Sequence, residues 1–146
     1  MTIIDANYFL RAIVRPATPQ DREMASIATT LFERVSAGLE TILVTDAVIA
    51  EVVFILSSKR YYHLPRPDVV ARLAPILQMS GCRLNRKRFV QRALDQWVSS
   101  PKLSFVDSLC AAYAQELGEP LASFDVELGK VPSITLWQPS PGSSPV

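Results

Sequence analysis

A chain of 146 residues has the length of one domain and can bury a substantial core. Its 49% apolar and 20% charged residues exclude the disordered class, and a formal net charge of +1 excludes a global basic field. Cys82 and Cys110 form no C-x-x-C pair and sit in apolar stretches, so each reads as a buried free thiol, with no disulfide framework or zinc site.

The first ten residues carry Asp5 inside an apolar run and lack a basic flank, which is unlike a secretion signal. No apolar run approaches the roughly 20 residues of a membrane span, so a cytoplasmic protein without a membrane partner is expected. Residues 2–4 read as a strand buried on both faces. A helix is expected over 21–37, where Met24, Ile27, Ala28, Leu31, Phe32 and Val35 share one face. Residues 41–45 read as a second strand, followed by a strongly apolar helix over 46–58 that should be buried. A helix over 68–79, a strand over 82–85 and a helix over 86–98 come next. A helix over 105–117, a strand over 121–124 and a possible fifth over 134–137 complete the set. Pro-rich and Gly-rich punctuation marks the loops, and residues 138–146 read as a flexible tail behind a domain of residues 1–137. Alternating strands and helices predict an α/β fold, a three-layer α/β/α sandwich with a central parallel sheet.

In such sheets ligands bind beyond the carboxyl ends of the strands. Asp5 follows T-I-I and Asp125 follows L-A-S-F, each where a strand should end. Either aspartate alone is equally well explained as a helix N-cap. Glu51 stands in A-V-I-A-E-V-V-F-I-L, where a carboxylate is expensive to bury. It must reach solvent at a helix margin or face a cation, and its surroundings favour the cation. Asp107, three residues after Ser104, fits a capping box, and beside the other three acids it gains a second role facing the crevice. Four carboxylates suit Mg²⁺ or Mn²⁺, hard ions that prefer oxygen ligands and activate water. His63 is the sole histidine, which excludes histidine-pair catalysis, and it reads as a surface loop residue. Walker and dinucleotide glycine signatures are absent.

The segments I-I-D-A-N-Y-F-L, T-D-A-V-I-A-E-V-V-F-I-L, F-V-D-S-L-C-A-A-Y-A and L-A-S-F-D-V-E-L together resemble the PIN domain, specifically the small toxin nucleases of VapBC-type toxin–antitoxin modules. Their order and spacing follow that pattern across residues 2 to 137. The resemblance implies a metal-dependent endoribonuclease, with Asp5, Glu51, Asp107 and Asp125 as catalytic, metal-binding positions for Mg²⁺ or Mn²⁺. It also implies supporting roles for Asn7 and Ser123, which local turn hydrogen bonds explain as well. A homodimer and a small antitoxin that covers the acidic pocket are expected partners, with Phe54, Tyr61 and Tyr62 as groove, dimer or core aromatics. Many relatives have Thr where Ser123 stands, and some carry a second acid directly after the Asp125 position. Here Val126 follows, and Glu127 is a weaker substitute.

RNA would need local positive charge. Arg86, Arg88 and Arg92 lie in a basic segment that also holds Arg83, Lys87 and Lys102 against Asp95, and Arg11 follows Asp5. A solvated helix face explains the same residues. The competing readings are an RNA-processing nuclease without an antitoxin, a non-catalytic interaction module, and an aspartyl-phosphate enzyme. The last lacks a second aspartate at position 7, which is Asn7.

Overall fold

The computed structural model describes residues 1–142, in two compact units, the first Met1–Lys87 and the second from Arg88 onward. The first unit holds three parallel strands in the order β1 (Thr2–Ile3), β2 (Ile42–Val44), β3 (Cys82–Leu84). Thr2 pairs with Ile42 and Ile3 with Leu43, while Ile42, Leu43 and Val44 pair with Cys82, Arg83 and Leu84. Ile42 and Val44 are buried, as a middle strand demands.

Helices α1 (Ala6–Ile13) and α2 (Pro19–Ser36) follow β1, α3 (Asp46–Ser57) follows β2, and α4 (Arg66–Leu77) precedes β3. Local chemistry starts them: Thr18 and Thr45 each accept a hydrogen bond from a first-turn backbone N–H, and Pro19 opens α2 where its missing N–H costs nothing. Phe9 and Phe32 meet in a tilted ring contact, centroids 5.4 Å apart, where α1 packs on α2. Helix α1 falls outside the helices that periodicity predicts. Its eight residues are too few for that signal, and its start rests on the Asp5 cap.

Gly81 leads into β3 with its carbonyl accepting from the Ile42 N–H at 2.8 Å. A Cβ there would lie 2.8 Å from the Glu40 carbonyl oxygen and 3.0 Å from Val35 Cγ1. Backbone cannot step aside cheaply, so Gly81→Ala should destabilise the protein by about 1–3 kcal/mol in a urea titration.

The second unit contains α5, which begins at the boundary residue (Lys87–Ser99), α6 (Phe105–Leu117) and the short α7 (Val126–Gly129). Leu103, Ala111, Leu128 and Val131 form a small core, with Leu121 and Ile134 against it. Gly118 ends α6 in the left-handed region at φ 65°. The strands expected over 121–124 and 134–137 reduce to one parallel bridge, Leu121 to Leu136. Leu121 exchanges both its backbone hydrogen bonds there, with Thr135 and Trp137, each at 2.9 Å. Beyond it, the Ser123 hydroxyl captures the Asp125 N–H at 3.0 Å and turns the chain into α7, which halts the ladder.

Three expectations about burial are corrected. Strand β1 is not buried on both faces: as the edge of the sheet its Thr2 and Ile3 are exposed, and burial begins at Ile4. Cys82 is buried, and burial pushes its thiol upward, but Cys110 is exposed because it lies on an outer face of α6. Helix α3 is only partly buried: Ile49, Val52, Val53 and Leu56 face inward, whereas Ala47, Glu51 and Phe54 line an exposed face at i, i+4, i+7 spacing. Of the expected tail, residues 138–142 are exposed and 143–146 lie outside the described residues. No helix among the described residues is long and apolar enough to cross a membrane.

Candidate functional site

The parallel sheet sends the carboxyl ends of β1, β2 and β3 to one edge, and acids follow two of them. Asp5 lies two residues beyond Ile3 and is exposed; its Oδ1 accepts the Asn7 N–H at 3.0 Å as the N-cap of α1. Thr45 likewise follows the adjacent strand β2, one residue beyond Val44, as the N-cap of α3. Asp46 comes next, half-buried, with Oδ1 accepting the Ala47 N–H at 2.9 Å. Sequence reasoning passed over Asp46, although the rule that singled out Asp5 applies to it equally: an acid directly after a strand run.

Glu51 lies further along α3. It is exposed and makes no hydrogen bond or ion pair among the described residues. The expected cost of burying it therefore does not arise in this structure, and its helix-margin position removes that argument for a facing cation.

In the second unit, Asp107 and Ser104 form the capping box anticipated from sequence: Ser104 Oγ accepts the Asp107 N–H at 3.1 Å, and Asp107 Oδ2 accepts the Ser104 N–H at 3.2 Å. Asp125 caps α7, with Oδ1 accepting the Glu127 N–H at 2.9 Å. Asn7 and Ser123 thus each touch a candidate acid, Asn7 through its backbone N–H and Ser123 through its hydroxyl. Both contacts are local turn bonds of the Asx and Ser type.

Asp5, Asp107 and Asp125 thus share a design. One carboxylate oxygen fixes the side chain to a helix start, and the other carries no hydrogen bond among the described residues. Oxygen donors held in this way fit the ligand chemistry of a hard divalent cation. Among the described residues, however, no group of three or more His, Cys, Asp and Glu stands close enough to hold a metal.

Glu127 is already committed. Its Oε1 lies 3.0 Å from Lys130 Nζ and 3.8 Å from Lys102 Nζ. The Lys130 hydrogen bond, more than either lysine's charge, holds the Glu127 carboxyl below its ordinary range. A carboxyl with a lowered folded-state pKa adds stability above its unfolded pKa, and that stability is lost as pH falls through the folded value. Lys130→Met should therefore lower the melting temperature at neutral pH and converge with the parent below the usual carboxylate range.

The basic residues are also largely engaged. Arg11 Nη1 donates to Asp21 Oδ1 at 2.6 Å, and Lys87 Nζ donates to the Cys82 carbonyl at 3.0 Å. Arg92 Nε and Arg88 Nε lie 2.8 and 3.3 Å from the same Glu116 Oε1, which is buried. Their N–H groups are not aligned on it, so the attraction is charge to charge. Arg86, exposed just beyond β3, adopts a left-handed backbone at φ 53°.

Compared with known families, residues 2–134 match the PIN domain. That match spans most of the chain and brings with it the fold class, an α/β/α three-layer sandwich about a central parallel sheet, in a superfamily that contains many nucleases. No curated protein matches the chain.

Proposed function

Since the chain belongs to the PIN-domain family, we propose that it is a metal-dependent endoribonuclease in which Asp5, Glu51, Asp107 and Asp125 hold Mg²⁺ or Mn²⁺. The observation that carries this reading is Asp5 at the carboxyl edge of the parallel sheet, anchored through one oxygen with the other left over. Bound there, the ion would supply an acidified water and offset charge on the scissile phosphate. The protein's own part is orientation. Each helix-start hydrogen bond fixes a carboxylate before substrate arrives, so little reorganisation remains for the reaction. Asp46, level with the same edge, is a further ligand or a water-positioning acid.

Arg11, Arg86, Arg88 and Arg92 are the arginines proposed to meet RNA phosphates. Arg88 and Arg92 share one glutamate, so the trio keeps a net positive charge on its surface. The reading extends to a toxin restrained by a small antitoxin and assembled as a homodimer in the cytoplasm. The exposed edge-to-face pair of Phe54 and Tyr61 supports it as apolar surface suited to a protein partner.

The test is cleavage of a structured RNA by the full chain with Mg²⁺, with Mn²⁺ and with chelator. Cleavage that needs the ion supports the proposal. Cleavage undiminished by chelator would remove the metal from the mechanism, and no cleavage of any RNA together with no Mn²⁺ binding by calorimetry would sink it.

A further inference from the structure

A cavity of about 200 Å³ opens on the first unit beside α1, and Asn7, Arg11, Arg15, Asp21 and Tyr62 are among its lining residues. Its size falls below the roughly 300–1,000 Å³ of clefts that take whole drug-sized ligands, and suits a single ring system. Asn7 and Arg11 are four residues apart, hence on one face of α1, and the Asn7 N–H is the one that caps onto Asp5. The cavity therefore begins within a helical turn of the proposed reaction centre.

Its walls are held in place. Arg11 is fixed by the 2.6 Å contact to Asp21. The Thr18 hydroxyl foremost, and Arg11 as well, keep the Asp21 carboxyl below its ordinary range against a smaller opposing effect of desolvation. Tyr62 lies in the turn after α3, where the His63 N–H donates to Ser58 at 2.9 Å and the Leu64 N–H to Leu56 at 2.8 Å. His63 takes a left-handed backbone, φ 48°, to make that turn. A non-glycine residue in this region costs free energy, and such strain persists where it positions a functional group. Tyr62 nonetheless stays 47% exposed, so its ring is offered rather than packed away.

An aromatic face, flanking guanidinium groups and an amide with donors and an acceptor are the chemistry that receives an unstacked base. A neighbouring depression of about 140 Å³ around Tyr8 is walled by Met24, Ile27 and Ala28 and lacks that polar rim apart from the shared Asn7 and Arg11. We infer that the Tyr62 cavity is a nucleobase subsite, seating one unpaired base of the RNA next to the cleaved bond and so setting base preference. This rests on the nuclease reading above.

The test uses the full chain in EDTA, so that nothing is cleaved, and single-stranded RNAs carrying 2-aminopurine at one position at a time. Stacking on Tyr62 should quench one position saturably. Tyr62→Ala should bind about 5- to 150-fold more weakly, the range found when a stacking aromatic is removed, while Tyr62→Phe keeps both affinity and quench. Equal binding by Tyr62→Ala, or loss of binding in Tyr62→Phe as well, would overturn the subsite while leaving metal-dependent cleavage untouched. Failure of the parent chain to bind any RNA in EDTA would overturn the subsite alone; the nuclease reading stands or falls on the cleavage assay with Mg²⁺ or Mn²⁺.

Discussion

Asp5→Asn should abolish ion-dependent RNA cleavage, by more than about 100-fold, while the protein melts within a degree or two of the parent. The reason lies in the division of labour between the carboxylate oxygens. An asparagine oxygen can still accept the Asn7 N–H, and Asn is as good an N-cap as Asp, so α1 keeps its start. What disappears is the charge of the oxygen left for the cation. Losing even an outer contact of a metal site costs 10- to 100-fold, and a direct ligand should cost more. Asp5→Ala makes the control: it removes cap and charge together, with an expected loss of about 1 kcal/mol in stability as well as activity. Parallel kinetics and denaturant titrations of the two variants separate the roles. If Asp5→Asn cleaves like the parent, Asp5 is a cap and nothing more.

The second large effect concerns Arg92. Truncating it to alanine should destabilise the protein by about 2 kcal/mol, because Glu116, with only 8% of its side chain exposed, then depends on Arg88 at 3.3 Å. Breaking a fully buried pair costs 3–5 kcal/mol; the smaller figure follows from Arg92 being 45% exposed and from the second arginine remaining. Combining Arg92→Ala with Glu116→Gln should restore much of the loss, since no uncompensated buried charge is left. That pair of variants also tests RNA contact. Were Arg92 a phosphate ligand, the stability-restored double variant would still bind RNA less tightly, with a shallower salt dependence. Unchanged binding would assign Arg92 to the Glu116 clamp alone.

Much of the first unit was legible in the chain because its signals are local and redundant. Apolar runs at 2–4 and 41–45 are each followed by a helix with an aspartate or threonine cap, and the strands formed within those bounds and within 82–85. The capping box at Ser104 and Asp107 was legible for the same reason, since its two partners are three residues apart. Residues 121–124 misled because an apolar run predicts extended chain but not the hydroxyl of Ser123, which bends the backbone into α7 before a ladder can form. Glu51 misled in another way. Hydrophobic neighbours on both sides say nothing of which face of α3 is inward, and Ala47, Glu51 and Phe54 take the outward one. The engagement of Arg88 and Arg92 by Glu116 was hidden because it joins residues more than 20 positions apart, beyond any local pattern.

The order of the strands along the chain bears on how this protein is made. Among the described residues the three paired strands are all encoded by residue 84, so the ladder of the first unit is complete in the nascent chain before the helices of the second unit are synthesised. Asp5 and Glu51 are translated before Asp107 and Asp125. At about 5–20 residues per second, the 74 positions from Glu51 to Asp125 take roughly 4–15 s. Until Asp107 is made, 56 positions after Glu51, the nascent chain carries only two of the four proposed ligands. A ligand set drawn from both ends of this stretch is thus incomplete until residue 125 has been made.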